Sequence, residues 1–336
     1  MSKILLTGGS GFIGHHFVEH LLKTTDHEVI ILDRLDTSGN LNRLTDIDTW
    51  QQYKHRVKFL FCDLKAEINS YLINKIGQVD YIIHLAASTH VDRSITNPME
   101  FVMDNVVGTT NLLNFARTPE KGGTQKNLKL FINFSTDEVF GPAKKGYFNK
   151  EEDPHRPSNP YAASKAGAVD MGYAYFITYG VPVINTHTMN NFGERQTPEK
   201  LIPKAIRMIQ EGKPMPIFAE WKDGKMTAVG SRFWIHARET AKALTLLIEK
   251  GVPGEYYNII GFDERTNLEI CEIITKAIGK PLIPDFIDWH SSRPGHDTRY
   301  ALDGTKLKKL GFKQSVPLEE SLTKTVRWTL AHPNWQ

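Results

Sequence analysis

The stretch Lys3-Ile4-Leu5-Leu6-Thr7, followed by Gly8-Gly9-Ser10-Gly11-Phe12-Ile13-Gly14, constrains the fold more than any other part of this chain. The apolar run reads as a buried strand, and the segment through Leu22 is apolar at helical spacing, so the glycines occupy a strand-to-helix turn. Gly8, Gly11 and Gly14 supply a tight turn, a close backbone approach to a pyrophosphate and close helix packing, with Phe12 and Ile13 on the same loop. Backbone amides at the start of the helix then face the phosphate. Glu28 to Leu32 reads as a second strand ending at Asp33. A carboxylate there accepts hydrogen bonds from two ribose hydroxyls and repels a 2′-phosphate, which favours NAD over NADP. The bland alternative, a glycine-rich turn with Asp33 as a helix cap, explains fewer of these features together.

Further strands are predicted at Val57 to Cys62, Tyr81 to Leu85, Lys129 to Phe134 and Val183 to Thr186, with helical patterns around Phe101 to Arg117 and Tyr161 to Tyr179. This alternation implies an α/β fold, a Rossmann-type doubly wound parallel sheet with ligands at the strand C-termini. Asp63-Leu64, Leu85-Ala86-Ala87 and Ser135 lie at such ends. From about Asn190 the pattern turns to proline and glycine punctuation. The expected division is a dinucleotide-binding domain over 1–189 and a smaller C-terminal substrate-binding domain over 190–336, with the chain returning to the first around 232–261.

Forty-one basic against 38 acidic residues, mixed along the chain, give a net charge of +3 and argue against a nucleic-acid or membrane partner. Cys62 and Cys271 sit in separate apolar segments and read as buried thiols, which suits a reducing cytoplasm. No apolar stretch approaches membrane-spanning length, and Met1 leads directly into a strand, leaving no room for a signal peptide. Metal-ligand spacing is absent, so no metal is expected.

The chemistry-bearing run is Ser135-Thr136-Asp137-Glu138-Val139-Phe140-Gly141, followed by Tyr161-Ala-Ala-Ser-Lys165. Four residues of separation put Tyr161 and Lys165 on one helical face. A free phenol has a pKa of about 10, and a nearby ammonium favours its charged form, so Tyr161 is a candidate base near neutral pH. A tyrosine and a lysine at this spacing also occur on ordinary solvated helices. The adjacent carboxylates add an acid and a base to a hydride-transfer site, which points to dehydration instead of simple oxidation.

With TGGSGFIG at 7 to 14, AASTHVDRSI at 86 to 95, NFSTDEVFG at 133 to 141, NPYAASKA at 159 to 166, NNFGERQTPEKLIP at 190 to 203 and RPGHDTRYALD at 293 to 303, the chain resembles the extended short-chain dehydrogenases/reductases. Within that group it most resembles the dTDP-glucose 4,6-dehydratases and related nucleotide-sugar 4,6-dehydratases. The resemblance implies roles position by position. Tyr161 takes the proton of the sugar 4-hydroxyl as NAD takes the C4 hydride, with Lys165 and Thr136 supporting the phenolate and the oxygen. Glu138 abstracts the C5 proton, Asp137 protonates the departing C6 hydroxyl, and hydride returns to C6. The product is a 4-keto-6-deoxy sugar, and NAD is retained. Asn191, Lys200, Arg232, Asn267 and Arg293 are expected on the nucleotide diphosphate, with His296 nearby, although Lys200 and His296 also read as surface residues. Thr89 and His90 are expected at the hexose, His90 having the alternative of a buried, satisfied histidine. Two helices from each subunit are expected to build a homodimer.

Three departures bear on the nucleotide base and the site. Arg232 to Glu239 replaces the pattern typical of dTDP-glucose dehydratases, and its His236-Ala237-Arg238 step is more like that of GDP-mannose dehydratases. The stretch Glu220 to Met226 reads as a longer hairpin with an Asp-Gly turn, so UDP, GDP and CDP sugars stay open beside dTDP. Phe140 stands where a tyrosine is usual. The competing functions are a nucleotide-sugar 4-epimerase or 5,6-dehydratase of the same fold, and an NAD-sensing binding protein without turnover.

Overall fold

The computed structural model describes residues 1–36, 38–288 and 299–336. The first six strands are β1 (Lys3–Thr7), β2 (Glu28–Asp33), β3 (Val57–Phe61), β4 (Tyr81–His84), β5 (Leu130–Thr136) and β6 (Val183–Thr188). Beyond them come β7 (Asn191–Phe192), β8 (Met215–Lys222), β9 (Lys225–Ala228), β10 (Ser231–Phe233), β11 (Ile235–His236), β12 (Tyr256–Ile259), β13 (Glu264–Thr266) and β14 (Pro284–Asp288). Seven of these form the central sheet in the order β12-β6-β5-β4-β1-β2-β3. Every pairing in it is parallel, as the alternation of strands and helices requires.

Alternation along each strand divides the core between the two faces of the sheet. Ile4, Leu6 and Ile31 pack with Phe17 and Leu21 of the helix Phe12–Thr24 and with Leu244 and Leu247 of the helix Ala237–Lys250. Leu5, Ile30 and Leu32 face the other way, onto Leu112, Phe115 and Tyr175. A third core holds Phe192, Ile202, Ile206, Ile270, Ile274, Leu322 and Val326, beyond the carboxyl ends of the strands.

Two local departures from the expected elements shape the site. Strands β5 and β6 run two residues further than their apolar stretches, because Ser135 pairs with His187 and Thr136 with Thr188. The expected helix over 101–117 is broken: Pro98–Phe101 and Gly108–Ala116 are α-helical, and Val102–Val107 between them is a wider π turn. Hydroxyls of Thr109 and Thr110 donate to the carbonyls of Asn105 and Val106 at 2.5 and 2.8 Å, and the turn buries Asp104 and Asn105. The hairpin of β8 and β9 forms as expected, with Asp223 at φ 51° and Gly224 at φ 77° in the turn.

Both cysteine thiols are buried and free. No helix among the described residues is long and apolar enough to cross a membrane.

Candidate active site

The glycine turn brings β1 against the end of β4. Gly8 lies at φ +70°, and a Cβ there would stand 2.7 Å from the backbone nitrogen of Ala86. A Cβ at Gly14 would collide with the carbonyl oxygen of Gly8, so only glycines leave this cradle open. The Asp33 carboxylate at the tip of β2 accepts from the amides of Ser10 at 3.0 Å and Leu35 at 2.9 Å. Burial raises its pKa, and those two amides oppose the rise. Gly8, Gly11, Phe12, Ile13, Gly14, Asp33, Asp63, Leu64, Leu85, Ala86 and Ala87 all line one cleft, whose amide-rich floor and terminal carboxylate fit a dinucleotide. Arg34, Asp36, Asp104 and Gln196 line it too. Sequence reading passed over these four, although Arg34 directly follows Asp33.

A second cavity opens from the first, sharing Phe12, Ile13, Leu85, Ala87, Thr89, Gln196 and Lys200 as walls. It gathers Thr136, Asp137, Glu138, Tyr161 and Lys165. The extended end of β5 delivers Thr136, whose side chain caps the single turn Asp137–Phe140. Gly141 closes that turn at φ 69°. The helix Pro160–Tyr179 begins opposite, with the Asn159 side chain accepting from the Ala162 amide at 2.9 Å and proline at its first position. Its first two turns carry Tyr161 and Lys165.

The two adjacent carboxyls meet different surroundings. Asp137 is buried, accepts from the Thr136 hydroxyl at 2.9 Å through Oδ1, and has no hydrogen-bond partner for Oδ2. Burial, and then the charge of Glu138, push its carboxyl up to about 7, against the opposing pull of Arg232. Glu138 points differently: its Oε2 accepts from Asn159 Nδ2 and from the Tyr300 hydroxyl, each at 3.3 Å. One carboxyl therefore holds a proton near neutral pH, while its neighbour sits among donors.

The Tyr161–Lys165 pair departs from the expected electrostatics. Lys165 Nζ donates to the Phe134 carbonyl at 2.7 Å, and burial lowers its pKa to about 8. Burial likewise raises the Tyr161 phenol well above its ordinary value, Glu138 and Asp137 add to the rise, and a hydrogen bond with Thr136 opposes it. Without ligands the phenol thus keeps its proton at neutral pH. The ammonium expected to lower it is turned toward a carbonyl.

The expected sugar-nucleotide residues are dispersed. Thr89 and Lys200 line both cavities, Lys200 Nζ lying 3.5 Å from the Thr89 carbonyl. Asn191 lines the second cavity, but its amide is engaged by the Thr240 hydroxyl at 2.6 Å and the Met189 carbonyl at 3.0 Å. Arg232 is buried with its guanidinium 4.4 Å over the Tyr300 ring, one step from Glu138. His90 caps the helix Val91–Thr96 and approaches Glu199 at 3.9 Å. Asn267 starts the helix Asn267–Ile278, its amide donating to the Gly230 carbonyl at 3.0 Å. Arg293 and His296 lie outside the described residues. Phe140 packs edge-on against His187 at 4.6 Å. Asn159 and Tyr300, which hold Glu138, lie inside the stretches 159 to 166 and 293 to 303, but nothing in the sequence assigns them that contact.

A parallel sheet with the glycine cradle, Asp33, and a Tyr161–Lys165 pair facing an acidic turn defines an extended short-chain dehydrogenase/reductase. The GDP-mannose 4,6 dehydratase family profile matches residues 5–325, and the chain belongs to that family. It is 40% identical over 350 residues to the dTDP-glucose 4,6-dehydratase of Salmonella typhimurium, covering 99% of this chain and 94% of that protein. It is also similar to the crystal structure of a dTDP-glucose 4,6-dehydratase from Streptomyces venezuelae with NAD bound (TM-score 0.86, 35% identity, 99% of this chain and 98% of that one). A UDP-glucose 4-epimerase from Thermus thermophilus in complex with NAD superposes with TM-score 0.85 at 26% identity, over 98% of this chain and 99% of that one.

The burial of Asp137 has a consequence for stability. A carboxyl that keeps its proton in the folded chain costs stability as pH rises from the unfolded value of about 4 to its folded value of about 7. Asp137→Asn removes that cost. Its gain in unfolding free energy over the wild type is expected to be larger at pH 8 than at pH 5 by about 3 kcal/mol, at about 1.4 kcal/mol per pKa unit. Denaturant titrations at the two pH values measure it, and an equal effect at both contradicts the protonated carboxyl.

Proposed function

We propose that this enzyme dehydrates dTDP-glucose, or a close dTDP-hexose, to the 4-keto-6-deoxy sugar, using bound NAD. The observation that carries this reading is the pair Asp137 and Glu138, adjacent on one turn, differently held, and in the same cavity as Tyr161 and Lys165. An epimerase only removes and returns hydride at C4 and has no use for an acid and a base at C5 and C6. A binding protein that merely senses NAD needs neither pair. Full-length identity of 40% to a dTDP-glucose dehydratase, against 26% to an epimerase, supports the same reading and favours thymine over the other bases.

Bound NAD supplies the site with a reversible hydride acceptor and a positively charged ring. Tyr161, with the Thr136 hydroxyl beside it, would accept the proton of the sugar 4-hydroxyl as a phenolate that the positive ring of the bound cofactor and the Lys165 charge stabilise. Once C4 is a ketone, the C5 proton is acidic, and Glu138 removes it. Asp137, protonated near neutral pH, gives its proton to the C6 hydroxyl, which leaves as water. Glu138 then returns its proton to C5 while C6 takes back the hydride that the bound cofactor would hold, which leaves a methyl group at C6. Each acid or base is worth about 10²- to 10⁴-fold in rate. Lys200, Arg232, Asn191 and Asn267, with Arg293 and His296, are assigned to the nucleotide diphosphate, and Thr89 and His90 to the hexose.

The division at 189/190 into a dinucleotide domain and a substrate domain, and a cytoplasmic location, belong to the same reading. So does a two-fold homodimer. Met99 and Ile177, 67% and 63% exposed, stand with Met103 and Tyr173 on the helices around 98–116 and 160–179, where the C-terminal region leaves them uncovered.

Two measurements test these proposals. Incubation with dTDP-, UDP-, GDP- and CDP-glucose, followed by mass spectrometry, is expected to show loss of one water, with dTDP-glucose preferred at least about tenfold in kcat/KM. Preference for another base overturns the thymine assignment, and an isomer of unchanged mass overturns the dehydration. Light scattering at micromolar concentration is expected to give about twice the chain mass of 38.2 kDa, and the single-chain mass rejects the dimer.

A further inference from the structure

Arg34 follows Asp33 at the ribose end of the dinucleotide cleft, and both line it. An arginine at that place is the group that accommodates a 2′-phosphate in NADP-binding relatives of this fold. Here it is not free to do so. Its terminal nitrogens Nη1 and Nη2 donate to the two oxygens of Asp104 at 2.6 and 2.7 Å, a fork-to-fork pair. Its Nε donates to Asp36 at 2.6 Å, and Asp63 stands 3.6 Å from Nη1. Asp104 itself is fixed: its side chain is 4% exposed, it accepts from the Ser88 hydroxyl at 2.6 Å, and it sits on the π turn Val102–Val107. The widened turn is what brings this carboxylate to the cleft wall.

We propose that Asp104 is a cofactor-specificity residue, which acts by occupying the phosphate-binding fork of Arg34 so that the cleft cannot hold the 2′-phosphate of NADP. Discrimination against NADP then has two layers. Asp33 repels the phosphate directly, and Asp104 withholds the Arg34 guanidinium that would compensate. Removing Asp33 alone leaves Arg34 committed, with Asp36, Asp63 and Asp104 still surrounding it. Neutralising Asp104 frees the Nη1 and Nη2 hydrogens directed at it, while Asp36 Oδ2, 2.6 Å from both Nε and Nη2, keeps its hold on the other edge of the guanidinium. The proposal rests on the dinucleotide reading of this cleft and is independent of the sugar substrate.

The test equilibrates the full-length protein with mixtures of NAD and NADP, then denatures it and quantifies the bound dinucleotides, giving the ratio of the two dissociation constants without any turnover. The wild type and Asp104→Asn are expected to hold NAD, because Asp33 remains in both. Asp33→Ala is expected to shift the ratio toward NADP only modestly, and Asp33→Ala/Asp104→Asn at least about tenfold further, the scale of a charge-assisted fork on a phosphate. Adding Arg34→Ala to that double variant is expected to abolish the extra shift. A double variant no different from Asp33→Ala, or a triple variant that keeps the gain, overturns the proposal. Asp104→Ser on the same background, which shortens the side chain instead of neutralising it in place, repeats the comparison if the amide disturbs the π turn.

Discussion

The close approach of β1 to β4 is the constraint on which the rest of the structure depends. The Gly8 backbone touches that of Ala86, and the strand ends behind them are locked by a chain of hydrogen bonds: the Ala86 amide donates to the Thr7 hydroxyl at 3.1 Å, that hydroxyl meets His84 Nδ1 at 2.7 Å, and His84 Nε2 meets the Thr109 hydroxyl at 2.9 Å. Burial lowers the pKa of His84 to about 3, so the ring bridges the two hydroxyls as a neutral group. The sheet order reverses at this point, and a crevice opens where strands on either side lead their helices to opposite faces. Both cavities grow from it, one along β1 and β2 toward Asp33, the other along β4, β5 and β6 toward Tyr161.

Within the second cavity, two carboxyls stand next to each other and meet different fates. Two ionised carboxylates on adjacent residues repel, and burial of one resolves the conflict by protonation. Asp137 takes that part because the turn after β5 directs it inward beside Thr136, whereas Glu138 reaches Asn159 and Tyr300. One dipeptide thereby presents a protonated carboxyl and a hydrogen-bonded one to the same cavity.

The sequence made the sheet legible because β1, β2, β4 and β5 are near-continuous apolar runs, as strands buried on both faces must be. Asp33 and the glycine turn were equally plain, since each needs one residue type at one spacing. The ends of β5 and β6 were missed because Ser135, Thr136, His187 and Thr188 are polar; they pair through the backbone, which leaves no mark on hydropathy. The π turn escaped for a related reason, its amphipathic pattern being that of an α-helix. Contacts that tune the site come from far along the chain, Tyr300 to Glu138 across 162 positions and Arg34 to Asp104 across 70. No local pattern encodes them. Without ligands the lowering expected from the Tyr161–Lys165 spacing is absent, because burial raises the phenol and lowers the ammonium.

The central claim is that oxidation at C4 and elimination across C5 and C6 are carried by separate groups in one cavity, with Glu138 serving only the second. Rapid mixing of Glu138→Gln with dTDP-glucose, followed by absorbance of reduced cofactor and by product mass, tests it most directly. The account predicts that enzyme-bound NADH accumulates while release of the dehydrated sugar slows by about 10²- to 10⁴-fold. Dehydration at the wild-type rate, or a variant that forms no NADH although NAD and sugar nucleotide still bind, would contradict it.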